Sequence, residues 1–119
     1  DRMHMLSVLY NLVDNAIKYS PENPVVALTL AKDTNWVKLS VTDNGIGIPS
    51  ADLKRVFKRF YRVANPSGNE AKGTGLGLFI VKSIVERHGG KVSAQSRGAG
   101  MGTTFLVQLP ISSIVDRES

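Results

Sequence analysis

The 119-residue sequence contains no cysteine. Disulfides and thiolate metal sites are thereby excluded, while the cellular compartment stays open. Histidine occurs only at His4 and His88, neither with a carboxylate cluster beside it, so the ligand set of a structural zinc site is lacking. No apolar run approaches the ~18 to 20 residues that a bilayer-spanning helix needs. There is also no leader of signal-peptide type, and no internal repeat. Acidic residues are the minority, 10 against 15 Lys and Arg, which gives a net charge of +5. That balance favours anionic partners, whether nucleic acid, phosphate ligands, acidic protein faces or lipid headgroups, and charge alone does not choose among them.

What is present fits one folded domain. Apolar residues make up 42%, and the length allows a real core. The mid-helix opening "DRMHMLSVLYN" leads us to expect a piece of a longer protein, with any membrane anchor or targeting signal elsewhere. On a helical wheel at roughly 100° per residue, Met5, Leu6, Leu9, Leu12, Val13, Ala16 and Ile17 share one arc of about 140°. His4, Ser7, Asn11, Asp14, Asn15 and Lys18 fall opposite. Ser20-Pro21 ends this helix, because proline pushes the preceding residue out of the α region.

"VVALTLA" (25–31) and "WVKLSVTD" (36–43) read as strands joined by the short link "KDTN", a hairpin pattern. "NGIGIPS" is a turn, and Ser50 is placed to cap a short helix at "ADLKRVF". The stretch 61–73 is polar and without periodicity, a long loop. A second helix is expected from about Gly75 to His88, with Ile80, Val81, Ile84 and Val85 at helical spacing and Gly89-Gly90 as its stop. "KVSAQSR" and "TTFLVQLP" look like a last hairpin around "GAGMG", and residues 111–119 like a frayed tail. Helices on one side of a mostly antiparallel sheet give an α+β, two-layer α/β sandwich over residues 1–110.

Several stretches invite chemistry. Asn11 and Asn15 sit four apart in an apolar helix, although asparagine is a poor helix former. "DNGIGIP" (43–49) follows a strand, and Gly45 and Gly47 permit a sharp turn or a close ligand approach; the heptapeptide alone reads equally as an ordinary tight turn. "GTGLGL" (73–78) opens a helix, where unpaired N–H groups suit phosphate, yet it is neither a Walker A loop nor a dinucleotide fingerprint. "RVFKRFYR" (55–62) mixes basic and aromatic side chains, and reads mainly as a solvated basic face with Val56, Phe57 and Phe60 buried.

Their order decides the matter. An Asn-x-x-x-Asn helix, an Asp-x-Gly-x-Gly turn, Phe-x-x-Phe-Tyr-Arg, a Gly-x-Gly-x-Gly helix start and a Gly-Thr-Thr-Phe strand span nearly the whole chain. This series closely resembles the catalytic ATP-binding domain of two-component sensor histidine kinases, which shares the Bergerat fold with DNA gyrase, heat-shock chaperone and mismatch-repair ATPases.

The resemblance implies a mixed, mostly antiparallel sheet covered on one face by helices, with a mobile ATP lid. It implies ATP and Mg²⁺ as cofactors, with Asn15 and Asn11 on the metal. Lys18 and Arg62 would meet the phosphates and, with Asn11, assist transfer, while Tyr19 would pack on the nucleoside. Asp43 would accept from the adenine amine, beside Gly45 and Gly47, and Thr104 would help hold the base through water. Gly73, Thr74, Gly75, Leu76 and Gly77 would form the lid, with Phe57 and Phe60 as its anchors. The implied partners are the phosphoacceptor and dimerisation hairpin of the same parent kinase and the receiver domain of a response regulator. Nucleic acid and membrane insertion are not implied, and the implied place of action is the cytoplasm. A gyrase-type hydrolase, an anti-sigma-type serine kinase and a non-enzymatic binding module remain as alternatives.

Overall fold

The computed structural model describes residues 2–18, 23–48, 50–58, 77–97 and 100–111. Helix α1 (Arg2–Lys18) leads into strands β1 (Val26–Lys32) and β2 (Trp36–Asp43). Helix α2 (Gly77–Arg87) precedes strands β3 (Lys91–Gln95) and β4 (Thr103–Pro110). The sheet order is β1-β2-β4-β3, and every pairing among these strands is antiparallel.

Local chemistry sets the turns. In the β1–β2 link, Asp33 Oδ1 accepts the backbone N–H groups of Asn35 (3.0 Å) and Trp36 (2.8 Å), and those two bonds hold its carboxyl below the usual value. At the end of α2, Gly89 takes φ +81°, while Gly90 N–H donates to the Val85 carbonyl and Gly89 N–H to that of Glu86. This is a Schellman cap, for which a left-handed glycine is the favoured residue.

The core lies on one sheet face. Strand β4 alternates cleanly, with Thr103, Phe105, Val107 and Leu109 inward and the residues between them partly exposed. Helix α1 packs over β2 and α2 over β3 and β4, and the two helices pack on each other. Residues 50–58 flank α2, and Phe57 is buried edge-on against Phe105, ring centroids 6.0 Å apart.

Two expectations change. The short helix expected at residues 51–57 is one 3₁₀ turn, Ser50–Asp52, continued by turns in which Val56 and Arg55 donate to the Asp52 carbonyl. Seven residues are too few for an α-helix to sustain itself, so the hydrophobic anchors Val56 and Phe57 set the local path. In α1 the buried stripe is Val8, Leu12 and Ala16, while Leu6 and Ile17 face outward. The stripe is rotated because α1 is covered from two sides, by β2 and by α2. Asn11, Asn15 and His4 consequently lie at the half-buried helix boundary rather than opposite the core.

Candidate functional site

Two groups of polar residues open on the helix-covered side of the sheet. The first begins at the end of β2. Asp43 is only 8% exposed, and its Oδ1 accepts the N–H groups of Gly45 (2.8 Å) and Thr103 (3.2 Å). Among the described residues none bonds Oδ2. Burial pushes the Asp43 carboxyl above its ordinary value, and the two N–H donors hold the rise back. A buried acid with one oxygen to spare is a built acceptor.

The turn after Asp43 is tied to the turn before β4. Gly102 N–H donates to the Gly45 carbonyl, and Gly100 N–H to that of Ile46. Ser96 Oγ donates to the Gly102 carbonyl (2.8 Å) and accepts from Ile48 N–H (3.0 Å). Gly102 has φ +76°, and a Cβ there would fall 2.2 Å from the Asp43 carbonyl oxygen. No side chain fits. Ser96 is the residue that a reading of motifs overlooked, and it carried no local signal; Gly102 stood in the Gly-Thr-Thr-Phe motif without a role of its own.

Thr104 does not belong to this corner. It pairs with Thr42, to which its hydroxyl bonds at 3.0 Å on the outer sheet face. Thr103 is the residue opposite Asp43 and on the same face. Strand parity with Phe105 would have selected it, because alternate residues change faces. A cleft of about 430 Å³ near this corner is lined in part by outer-face Thr42, Gln95 and Thr104.

The second group lies between the helices. Asn11 Nδ2 donates to the Ser7 carbonyl (2.8 Å) and to Ser7 Oγ (3.3 Å). With its nitrogen committed to its own helix, Asn11 turns Oδ1 toward the start of α2, where a Cβ on Gly77 would be 3.1 Å away. Asn15 follows one turn later, also half-buried. These amide oxygens are hard ligands of the kind Mg²⁺ accepts alongside phosphate. Lys18 reaches not into open space but to Asp14 Oδ2 at 2.9 Å. A solvent-exposed i,i+4 pair of this kind is worth about 0.5 kcal/mol or less, so a phosphate can displace the carboxylate.

The structure thus brings Asn11 to Gly77, and Asp43 to Gly45 and Thr103. Gly47 is buried in the same turn as Gly45, with φ +76°. The expected roles of Tyr19, Phe60, Arg62, Gly73, Thr74, Gly75 and Leu76 lie outside the described residues, as do residues 112–119 of the expected tail; its first residue, Ile111, donates its N–H to the Asn35 carbonyl at 2.9 Å. Among the described residues no helix is long and apolar enough to cross a membrane.

Comparison with known proteins identifies the family and the fold. The profile of the histidine kinase-, DNA gyrase B- and HSP90-like ATPases matches residues 1–113. The sensor protein RprX of Bacteroides fragilis is 41% identical over 113 residues, covering 93% of this chain and 22% of that protein. The mycobacterial sensor histidine kinase MprB superposes with TM-score 0.83 at 37% identity, over 92% of this chain and 74% of that one. For the catalytic domain of histidine kinase ThkA the TM-score is 0.77 at 34% identity, over 92% and 69%. The chain therefore belongs to the histidine kinase-, DNA gyrase B- and HSP90-like ATPase family, in the form that sensor histidine kinases carry.

Proposed function

We propose that this domain binds Mg-ATP and donates its γ-phosphoryl group to a histidine on a separate dimerisation and phosphoacceptor hairpin of the same parent kinase. From there the phosphoryl group would pass to the receiver domain of a response regulator, on the cytoplasmic side where ATP is supplied. The observation that carries the reading is the Asp43 corner, a buried carboxylate with one oxygen bound to backbone N–H groups and the other without a described partner.

Asp43 Oδ2, which has no partner among the described residues, accepts from the exocyclic amine of adenine. Guanine presents a carbonyl there, and an acceptor facing an acceptor selects ATP over GTP. Thr103, on the same face, replaces Thr104 as the residue that helps hold the base. The phosphates then extend toward Asn11 and the backbone N–H groups at the start of α2. Bound Mg²⁺ neutralises phosphate charge and orients the γ-phosphoryl group; Asn11 and Asn15 would hold it. Lys18 leaves Asp14 for a phosphate oxygen. Asn11 has no proton-accepting group near neutral pH, so it cannot activate water as a glutamate would. The phosphoryl group is thereby kept for an imidazole: the bond from γ-phosphorus to the bridging oxygen breaks, an N–P bond forms, and ADP leaves.

Neither histidine of this chain is placed to be that acceptor. His4 and His88 stack edge-on with centroids 5.8 Å apart, and His88 Nδ1 donates to the Ile84 carbonyl at 2.8 Å. Asn11 meets the first residue of α2 and His88 lies just beyond its last. At 1.5 Å per residue, the imidazole pair is about 16 Å from that start.

Calorimetric titration with a non-hydrolysable ATP analogue, with and without Mg²⁺, tests the reading. Wild type should bind more tightly with Mg²⁺, and Asp43→Ala should lose about tenfold to hundredfold in affinity. Thr103→Val should weaken binding while Thr104→Val leaves it unchanged. No binding under any condition would overturn the proposal.

A further inference from the structure

Ser96 stands just past the end of β3, half-buried, and its hydroxyl reaches two other parts of the chain. Its Oγ donates to the Gly102 carbonyl at 2.8 Å and accepts the Ile48 N–H at 3.0 Å. A hydroxyl can do both at once, having one hydrogen to give and lone pairs to receive.

The peptide units it holds are the ones that need holding. The Gly102 carbonyl and the Thr103 N–H belong to a single planar, trans peptide, so they point in opposite directions. Ser96 takes the carbonyl end, and Asp43 Oδ1 accepts from the N–H end at 3.2 Å. Turning that plane breaks both bonds together. The Ile48 N–H belongs in the same way to the peptide that follows Gly47. Gly47 and Gly102 both take φ +76°, and glycine restrains the peptide after it less than any other residue. Ile48 and Thr103 are buried, so water is a poor substitute for a partner lost there.

We infer that Ser96 is a positioning residue for base selection, an assignment that rests on the adenine reading proposed above. Its hydroxyl locks the two glycine-hinged peptides that frame the Asp43 corner, and thereby sets the direction of Asp43 Oδ2. Without it the Gly102–Thr103 plane can turn and the Thr103 N–H can leave Oδ1. Among the described residues only the Gly45 N–H then stays on that oxygen, and one bond permits a rotation of the carboxyl that two forbid. A carboxyl free to rotate accepts less well from the adenine amine and can turn away from the guanine carbonyl. Both effects narrow the preference for ATP over GTP.

Calorimetry with non-hydrolysable ATP and GTP analogues in Mg²⁺ tests the assignment on wild type, Ser96→Ala, Ser96→Cys and Asp43→Ala. Titrations are made where urea unfolding shows each variant to be folded. Ser96→Cys keeps the side chain's size while weakening both bonds, and supplies the reading if Ser96→Ala does not fold. Loss of the hydroxyl should weaken the ATP analogue about tenfold and the GTP analogue far less, so the ratio of the two dissociation constants shrinks. A serine that served the fold alone would lower the unfolding midpoint and leave that ratio as in wild type. That result, with wild-type binding dependent on Asp43, overturns the assignment and spares the adenine reading. An Asp43→Ala variant that binds the ATP analogue as tightly as wild type brings down both.

Discussion

Asp43 is a buried acid whose charge costs the fold, which the proposed adenine contact would account for. Its buried carboxyl has a raised pKa, caused by desolvation and opposed by the Gly45 and Thr103 N–H groups. Ionising a group whose folded pKa is raised opposes folding. Its favourable share is whole below the unfolded pKa and is lost as pH rises through the folded one. Asn in its place can still accept both N–H bonds through Oδ1, and it carries no charge to desolvate. Urea unfolding of nucleotide-free Asp43→Asn should therefore show stability at pH 7 equal to or above wild type, the difference closing below about pH 4. ATP-analogue affinity should fall about tenfold or more, because the asparagine can turn a donor toward the adenine amine. A variant clearly less stable than wild type at pH 7 would mean that the charge holds the corner together. Residue identity was legible here, since Asp43 stood out after its strand. Face was legible too, but only through parity: in "TTFLVQLP" the inward Phe105 assigns Thr103, not Thr104, to the face that Asp43 shares.

At the scale of elements, periodic segments declared themselves and anchored segments did not. Strand β2 occupies 36–43 as its alternation predicts, and α2 stops at its glycines. Both signals are local. The path of residues 50–58 is decided by a non-local contact, Phe57 on Phe105, which no window of sequence contains. The rotation of α1 has the same origin, because a helix flanked by both sheet and helix buries boundary residues that a single-sided wheel assigns to solvent. The segment's dependence on its anchor gives a direct test. Phe57 is 7% exposed, and Phe57→Ala removes a ring from the core cluster that includes Phe105, Val81 and Val85. Chemical denaturation should show a loss of about 3 kcal/mol. A loss below about 1 kcal/mol would mean that the segment keeps its path without the ring.

Over the whole molecule, the candidate site is two groups of polar residues, the Asp43 corner and the Asn11–Gly77 contact. The Asp43 corner lies where β2 ends and β4 begins, and Asn11 faces the first residue of α2. In the proposed binding mode the adenine contacts are short-range and buried. The phosphates would instead meet neutral amides, helix N–H groups and Lys18, which shares itself with Asp14. Much of their attraction would then come from the net charge of +5 acting over distance. Salt separates these contributions, because exposed charges are screened beyond a Debye length while buried hydrogen bonds are not. Raising salt from about 0.05 to 0.5 M should weaken an ATP analogue severalfold at fixed free Mg²⁺, and leave adenosine, which has no phosphate, nearly unchanged. Adenosine binding should still require Asp43. If adenosine weakens with salt as steeply as the nucleotide does, base recognition does not reside in the buried corner. If neither responds, the basic composition serves some other partner, and the phosphates are held by local contacts alone.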